Sequence, residues 1–159
     1  MTIFTYETRI LPEWIDYNGH MRDSYYGLVF SLAVDAMQDD IGFDEAYRKR
    51  TGCTIYLLED HKYFLREVKE GEHVRVETRL LDCDGKRFHL HMQMLAGDKI
   101  AAAGEFMELH VQQKREPHAT AIPSDILRRL QAAEIPASER HKLKHRSRSI
   151  GLQGGRQAG

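Results

Sequence analysis

A carboxylate stands a few residues before an apolar helix pattern, and this spacing could do chemistry on a carbonyl. Asp16 lies in the polar turn 16–21, and the helix is predicted to begin at Asp23 or Ser24. The first N–H groups of a helix have no acceptor within it and carry partial positive charge, so they stabilise an oxyanion. A carboxylate beside them can act as a nucleophile or as a general base. The alternative is that Asp16 and Asn18 only shape the turn.

Aromatic side chains crowd the same stretch of sequence and could bind a cation. Trp14 and Tyr17 flank Asp16, and Tyr25 and Tyr26 lie at the start of the helix pattern. A quaternary ammonium group donates no hydrogen bond, so proteins hold it against aromatic faces with carboxylates nearby. The residues predict a cation cage around Asp16, with the alternative that these rings fill the core or a subunit interface.

Three histidines have positions that could serve chemistry. His20 follows Gly19, where it either holds Asp16 in place by hydrogen bonding or only caps the local backbone. His89 and His91 stand two apart on one strand face and could begin a metal site. A third ligand at a persuasive spacing is absent from the sequence. We therefore predict no metal site and expect these two rings on a solvated or interface face.

An ionisable pair interrupts an apolar row in the second predicted strand. Strict alternation places Glu59 and His61 on one face with Ile55 and Leu57. Buried charges are seldom left unpaired. Two interpretations remain open: the pair orients water or meets the substrate in an active-site cleft, or it is a satisfied pair at a subunit interface.

Basic residues provide candidate phosphate-binding groups, because arginine and lysine pair well with phosphate oxygens. Arg66 and Arg87 lie in the predicted strand region, and five further Lys and Arg residues fall between 140 and 148. We divide the chain into a folded domain, residues 1–136, and a basic tail, residues 137–159, whose last ten residues we expect to be mobile. The tail is either a solvated end or a further phosphate partner.

One long helix and five strands must position these residues. The helix is predicted over 23–41 and closed by Gly42, with apolar side chains around roughly two thirds of its circumference. A surface helix has a narrower apolar stripe, so other structure should wrap this one. An antiparallel sheet curled around the helix would do so, and pairing with a second copy would cover one of its open edges. The strands are predicted over 4–10, 55–65, 74–80, 88–94 and 100–111, with short helices over 44–50 and 124–133.

Length and composition narrow the classes of protein. A chain of 159 residues suits one domain. Lys plus Arg number 23 and Asp plus Glu number 24, and this net charge of −1 disfavours a nucleic-acid binder. No apolar run approaches the about 20 residues of a membrane span, and the N-terminus lacks a signal-peptide pattern. Cys53 and Cys83 form no Cys-x-x-Cys motif, so we expect a cytoplasmic protein without disulfides.

The turn resembles a signature of a known family. The run Glu13-Trp14-Ile15-Asp16-Tyr17-Asn18-Gly19-His20-Met21 is similar to the Asp-x-x-Gly turn of hotdog-fold acyl-CoA thioesterases of the 4-hydroxybenzoyl-CoA thioesterase type. The resemblance spans residues 3–112 and implies an α+β hotdog fold, a five-stranded antiparallel sheet around a long central helix. It also implies that Asp16 is the catalytic carboxylate and that the backbone N–H of Asp23 polarises the thioester carbonyl.

A narrower resemblance is carried by several blocks in one order. These blocks are similar to the thioesterases found with carnitine-degradation enzymes, and they imply hydrolysis of betainyl-CoA to glycine betaine and CoA. Besides the turn, they are Glu59-x-His61, Leu65-Arg66-Glu67, Lys86-Arg87-Phe88-His89, Met107-x-Leu109-His110-Val111 and Ile150-Gly151.

The residues and the resemblance together predict a hydrolase acting on a small acyl-CoA as a homodimer or homotetramer. The sequence has no G-x-x-x-x-G-K-[ST] loop and no G-x-G-x-x-G fingerprint, so we predict no cofactor beyond the CoA of the substrate. Neither a nucleic acid nor a membrane is an expected partner. The alternatives are a thioesterase for another short or aromatic acyl-CoA and a non-enzymatic acyl-CoA-binding hotdog module. A hotdog dehydratase is a weaker option.

Overall fold

The computed structural model describes residues 2–152 and contains the predicted long helix with a sheet curled around it. Its helices are α1 (Asp23–Ile41), α2 (Glu45–Thr51), α3 (Ser124–Ala133) and α4 (Ala137–Arg140), and a short 3-10 turn spans Pro12–Trp14. Its strands are β1 (Phe4–Arg9), β2 (Cys53–Phe64), β3 (His73–Cys83), β4 (Arg87–Ala96), β5 (Lys99–Gln112) and β6 (His118–Ala119). In this part of the chain, no helix is both long and apolar enough to cross a bilayer.

Helix α1 is held in the fold by the apolar face that the sequence gives it. Phe30 is fully buried, and its ring centroid lies 5.2 Å from that of Phe106 on β5. Truncating such a buried ring to alanine costs about 3–5 kcal/mol. The helix ends at Gly42, which adopts a left-handed φ of 114° and donates its N–H to the Gln38 carbonyl. The predicted bounds of α1 are therefore confirmed.

The five long strands form one antiparallel sheet in the order β1-β3-β4-β5-β2. Strand β6 extends the ladder of β5 at Val111 and Gln112, just beyond the last residue that β4 pairs. Strands β3, β4 and β5 follow one another as a meander, whereas β2 lies at the far edge of the sheet, next to β5. This is the hotdog fold.

A bulge in β2 overturns the expected grouping of its side chains. Leu57 pairs with Glu108 and Glu59 pairs with the next residue of β5, Met107, so Leu58 is an extra residue in the strand. An extra residue switches the faces that follow it. Ile55 and Leu57 face α1, but Glu59 and His61 lie on the opposite face, which we call the outer face.

Strands β2 and β5 approach each other very closely at Gly104. A Cβ atom built there would lie 2.3 Å from the carbonyl oxygen of His61, a distance that side chains do not adopt. Only glycine allows the edge strand to lie this close to β5.

The C-terminal segment, residues 141–152, crosses the outer face of the sheet and buries polar groups there. His91, which is fully buried, donates from Nε2 to the carbonyl oxygen of Lys144 at 2.9 Å. Glu105 is 4% exposed and accepts hydrogen bonds from Arg146 and from Ser147, the latter at 2.8 Å. His91 therefore does not lie on a solvated face. The predicted tail begins with α4 at Ala137 and is described to residue 152; residues 153–159 lie outside the described part.

Candidate active site

The Asp-x-x-Gly spacing folds into a tight turn that fixes the Asp16 carboxylate. Oδ1 of Asp16 accepts the backbone N–H of Asn18 at 2.8 Å and lies 3.4 Å from that of His20. Gly19 donates its N–H to the Asp16 carbonyl at 3.0 Å and has a φ of 81°, a left-handed conformation that favours glycine. Among the described residues, no group donates to Oδ2. The turn therefore leaves one carboxylate oxygen available.

The start of α1 provides the second group of the site. Residue Asp23 is the first of the helix, so its N–H has no acceptor within α1. No acceptor elsewhere in the described chain pairs with it, while the Asp23 side chain accepts the N–H of Ser24 at 2.9 Å. Arg22, the N-cap residue, is held by its own N–H bond to the Trp14 carbonyl at 3.0 Å. The Asp23 N–H is thus a free donor at the positive end of a helix.

Asp16 and Asp23 both line one open pocket of about 400 Å³. Its wall is completed by the chain that follows β2, which is tied to the turn by the bond from the Met21 N–H to the Val68 carbonyl at 2.8 Å. The lining residues are Asp16, Asn18, His20, Met21, Asp23, Tyr26, Phe64, Leu65, Arg66 and Glu67.

The side chains of His20 and Glu67 are in hydrogen-bonding contact at this pocket. Nε2 of His20 lies 2.9 Å from Oε2 of Glu67, so the histidine joins the turn to the segment after β2. The His20 backbone also contributes to the turn, since its carbonyl accepts the Asp16 N–H at 2.9 Å. These contacts are consistent with a positioning role for His20.

Of the four aromatic residues that the sequence places near Asp16, the structure brings Tyr26 to the wall of its pocket. Trp14 is buried and stacks on Tyr25 with ring centroids 5.8 Å apart, and Tyr17 is 94% exposed. None of these three lines the pocket with Asp16. Its aromatic wall is Tyr26 and Phe64, which meet edge to face at 5.3 Å.

Tyr26 is fixed in this wall by a hydrogen bond. Its hydroxyl donates to the Arg66 carbonyl at 3.0 Å. Burial raises the pKa of Tyr26, so the hydroxyl stays protonated at neutral pH. The sequence carried two signals for this wall: Tyr26 is one turn from the helix start, and Phe64 precedes Leu65-Arg66-Glu67.

Three other predicted site residues lie away from the pocket within one chain. Glu59 and His61 line a smaller outer-face cavity of about 140 Å³ beside Glu105. Arg87 lies in the β3–β4 hairpin, where its guanidinium pairs with Asp84 at 2.7 Å. The structure does not bring these residues to Asp16 in this chain, whereas Arg66 does line the pocket.

A free carboxylate oxygen and an unpaired helix N–H in one pocket can cleave an activated acyl group, because one attacks or deprotonates and the other stabilises the oxyanion. On a hotdog fold, this defines the class of the protein as a thioester hydrolase. The chain belongs to the thioesterase-like superfamily, whose sequence profile matches residues 10–142.

Named relatives agree with this class. The chain is 45% identical over 130 residues to the betainyl-CoA thioesterase of Pseudomonas aeruginosa PAO1, covering 80% of this chain and 81% of that protein. It is 41% identical over 126 residues to the L-carnitine dehydrogenase/betainyl-CoA thioesterase of Agrobacterium fabrum C58, covering 79% of this chain. The match covers 26% of that longer protein.

Solved structures share the architecture. A Staphylococcus aureus protein in complex with CoA superposes with a TM-score of 0.81 at 25% identity, covering 95% of this chain and 96% of that one. A candidate thioesterase from Pseudomonas putida KT2440 superposes with a TM-score of 0.75 at 31% identity, with the same coverage of both chains.

Proposed function

We propose that this protein hydrolyses betainyl-CoA to glycine betaine and CoA, with Asp16 as the catalytic carboxylate. This proposal rests on one observation: Asp16 lines the same pocket as Asp23, the first residue of α1. Oδ1 of Asp16 is held by the turn, and Oδ2 receives no hydrogen bond from the described residues. The thioester carbonyl oxygen lies at the Asp23 N–H, which stabilises the negative charge that develops there.

Asp16 can act by either of two routes, and neither route needs a cofactor. Oδ2 can attack the carbonyl carbon and expel CoA thiolate, and water then cleaves the resulting mixed anhydride. Alternatively, Asp16 accepts a proton from a water molecule that attacks the same carbon. The two routes differ in a trappable intermediate: hydroxylamine present during turnover marks Asp16 covalently only in the first.

The pocket wall supports a cationic acyl group. A single methylene separates the betainyl nitrogen from the carbonyl carbon, so the cation must lie in the pocket that holds the carbonyl. The rings of Tyr26 and Phe64 line that pocket together with the carboxylates of Asp23 and Glu67. Aromatic faces with nearby carboxylates are what a trimethylammonium group requires. Arg66, in the same wall, is our candidate partner for a CoA phosphate.

A neutral short acyl-CoA is the second candidate substrate, because Met21 and Leu65 add apolar surface to the pocket. The two are separated by thiol release from betainyl-CoA and from its uncharged isostere, 3,3-dimethylbutyryl-CoA. We expect the charged ester to have the higher kcat/KM. Equal or better turnover of the neutral ester would remove the cation from the proposal, and no thiol release from either would remove the reaction.

We further propose that the protein acts as a homodimer or homotetramer in the cytoplasm. Strand β2 is an edge strand, and Tyr56, Leu57 and Leu58 expose 39%, 52% and 52% of their surface along it. Pairing with a second copy would cover this edge. Both cysteines are free, as a reducing compartment favours.

A further inference from the structure

The C-terminal segment crosses a row of ionisable side chains on the outer face. In the strand register, His91 of β4 lies between Arg79 of β3 and Glu105 of β5, and Glu105 lies opposite His61 of β2. Cross-strand partners share one face of a sheet, so these four side chains form one line across four strands. Within this line, His91 is 0% exposed and Glu105 is 4% exposed. Both bond to the C-terminal segment, which therefore covers them.

The C-terminal segment is attached to the sheet largely through its own carbonyl groups. The Lys144 carbonyl accepts from Nε2 of His91, and the Arg146 carbonyl accepts from the Tyr63 hydroxyl, both at 2.9 Å. Between these two points, His145 has a left-handed φ of 58°, which few residues other than glycine adopt. Residues 141–152 form no helix or strand of their own. Their conformation therefore depends on the contacts with the sheet.

His91 holds the segment as a neutral ring. A carbonyl oxygen can only accept a hydrogen bond, so Nε2 carries the ring proton. Nδ1 is buried and has no hydrogen-bond partner among residues 2–152. A second proton would enter at Nδ1 and create a buried cation with an unmatched N–H. Burial accordingly lowers the pKa of His91.

The charges around His91 do not offset this cost. Arg79 and Arg146 are cations and disfavour a charged ring. Glu105 favours it, but this carboxylate already accepts from Arg146 and lies 2.9 Å from Nε2 of His89. The other titratable side chains on these elements are, on β2, Glu59, His61 and Tyr63 and, in the segment, Lys144, His145 and Arg148.

We propose that the C-terminal segment is an acid-released strap, docked on the outer face by the neutral ring of His91 and freed when that ring takes up a proton. Release lets water reach both ring nitrogens and removes the Arg146 guanidinium from beside them. The strap is independent of the proposed reaction, because none of its contacts involves Asp16 or the start of α1.

The sign of the pH dependence follows from the lowered pKa of His91 in the docked state. Docking is strongest above the ordinary imidazole pKa of about 6.5 and weakens as the pH falls below it. At pH 5.5, one unit lower, the docking constant falls by up to about tenfold. Glu105 contributes above its ordinary pKa of 4.5, and because its pKa is lowered, this contribution is lost only at more acidic pH.

Limited trypsin cleavage of the full chain measures docking, because the bonds after Lys144 and Arg146 contain the two carbonyl groups that the sheet holds. The initial rates are those at which fragments 1–144 and 1–146 form from the intact chain. Each rate is divided by the rate for a free peptide of residues 140–152 at the same pH, which removes the pH dependence of the protease. The quotient follows the released fraction when reclosing is faster than cleavage. We expect it to rise roughly tenfold from pH 7.5 to pH 5.5.

A histidine variant assigns the titration. His91→Gln keeps an N–H donor for the Lys144 carbonyl but cannot titrate, so its quotient should stay constant between pH 7.5 and pH 5.5. His118→Gln changes an exposed histidine of β6 and should show the wild-type rise. An NMR titration of the His91 ring in the unmodified chain gives a reading that needs no variant, and the ring should titrate below about pH 6.5.

Three results would each overturn the proposal. A wild-type quotient that is independent of pH would show that acid does not release the segment. A rise in His91→Gln equal to that of the wild type would place the titrating group elsewhere. A His91 ring that titrates at or above about pH 6.5 in the intact chain would show that docking does not disfavour its charge.

Discussion

The backbone N–H of Asn18 donates to Oδ1 of Asp16 at 2.8 Å, so one oxygen of this carboxylate builds the turn while Oδ2 receives no hydrogen bond from the described residues. An asparagine at position 16 can keep the first contact but can neither attack a carbonyl nor accept a proton. We predict that Asp16→Asn folds normally and loses at least about 100-fold in turnover. Thiol release, with circular dichroism to check the fold, measures this.

The matched control for that variant is Asp84→Asn. Oδ1 of Asp84 also builds a turn, accepting the N–H groups of Lys86 and Arg87 at 2.8 and 2.7 Å, but it lies outside the pocket. We expect near wild-type turnover there. Near wild-type turnover in Asp16→Asn would instead remove this residue from catalysis.

Phe64 should set the preference for a charged acyl group. Phe64→Leu keeps apolar surface and removes the π face, which is worth about 0.5–2 kcal/mol to a cation. We predict that the ratio of kcat/KM for betainyl-CoA to that for 3,3-dimethylbutyryl-CoA falls by about two- to thirtyfold. Tyr17→Leu, an exposed aromatic outside the pocket, is the control and should leave the ratio unchanged.

Glu108 should make stability depend on pH. Its pKa is raised from 4.5 to about 7 in the folded chain, so the folded state binds this proton more tightly than the unfolded state. The resulting stability is present below about pH 4.5 and is lost as the pH rises through about 7, with a total of at most about 3 kcal/mol. Urea unfolding between pH 5 and 8 measures this slope. Glu108→Gln should flatten it, and a slope unchanged in that variant would refute the assignment.

The open edge of β2 should carry the subunit contact. We predict that Leu58→Glu lowers the mass found by light scattering towards that of one chain, because a charge would be buried in the paired edge. Ile150→Glu changes a residue that is 90% exposed and lies outside the edge, so it should leave the mass unchanged. If Leu58→Glu keeps the wild-type mass, another surface joins the subunits.

Glu105 should tie the C-terminal segment to the stability of the sheet. Burial alone would raise the pKa of this carboxyl, but the bonds from Arg146 and Ser147 hold it below its usual range. Deleting residues 144–159 removes both donors together with the cover they give to the outer face, and it leaves His89, whose Nε2 lies 2.9 Å from Oε2, as the partner of this carboxylate. We predict a loss of up to about 3 kcal/mol in the free energy of unfolding. Thermal unfolding of the full chain and of the deletion variant measures this loss, and equal stability of the two would refute the tie between the segment and the sheet.

Local signals in the sequence predicted the elements well where one residue decided the boundary. Gly42 ends α1 because its left-handed φ suits few other residues, and Ser124–Ala133 forms α3 behind Pro123 as expected. The turn at Asp16 could also be predicted, because its carboxylate and Gly19 act within four residues of each other.

The features that the sequence did not predict depend on contacts between distant segments of the chain. Alternation in β2 could not reveal the bulge at Leu58, since the extra residue is defined only by its pairing with β5. Trp14 and Tyr25 are close to Asp16 in sequence, yet they stack on each other, and Phe64 arrives from the end of another strand. Glu105 stands in an otherwise apolar strand, and a buried carboxylate needs a partner. The sequence therefore contained a signal that a cation from another part of the chain reaches this residue.

The bulge also bears on how this gene tolerates changes in length. Removing Leu58 would leave Leu57 opposite Glu108 and Glu59 opposite Met107, the partners that both residues already have. A codon lost here would therefore preserve the inward and outward sets of side chains, whereas a codon lost in a regularly paired stretch of a strand would exchange the two sets on one side of the deletion. Homologous chains can differ in length by one residue at this point and still place the same residues on each surface.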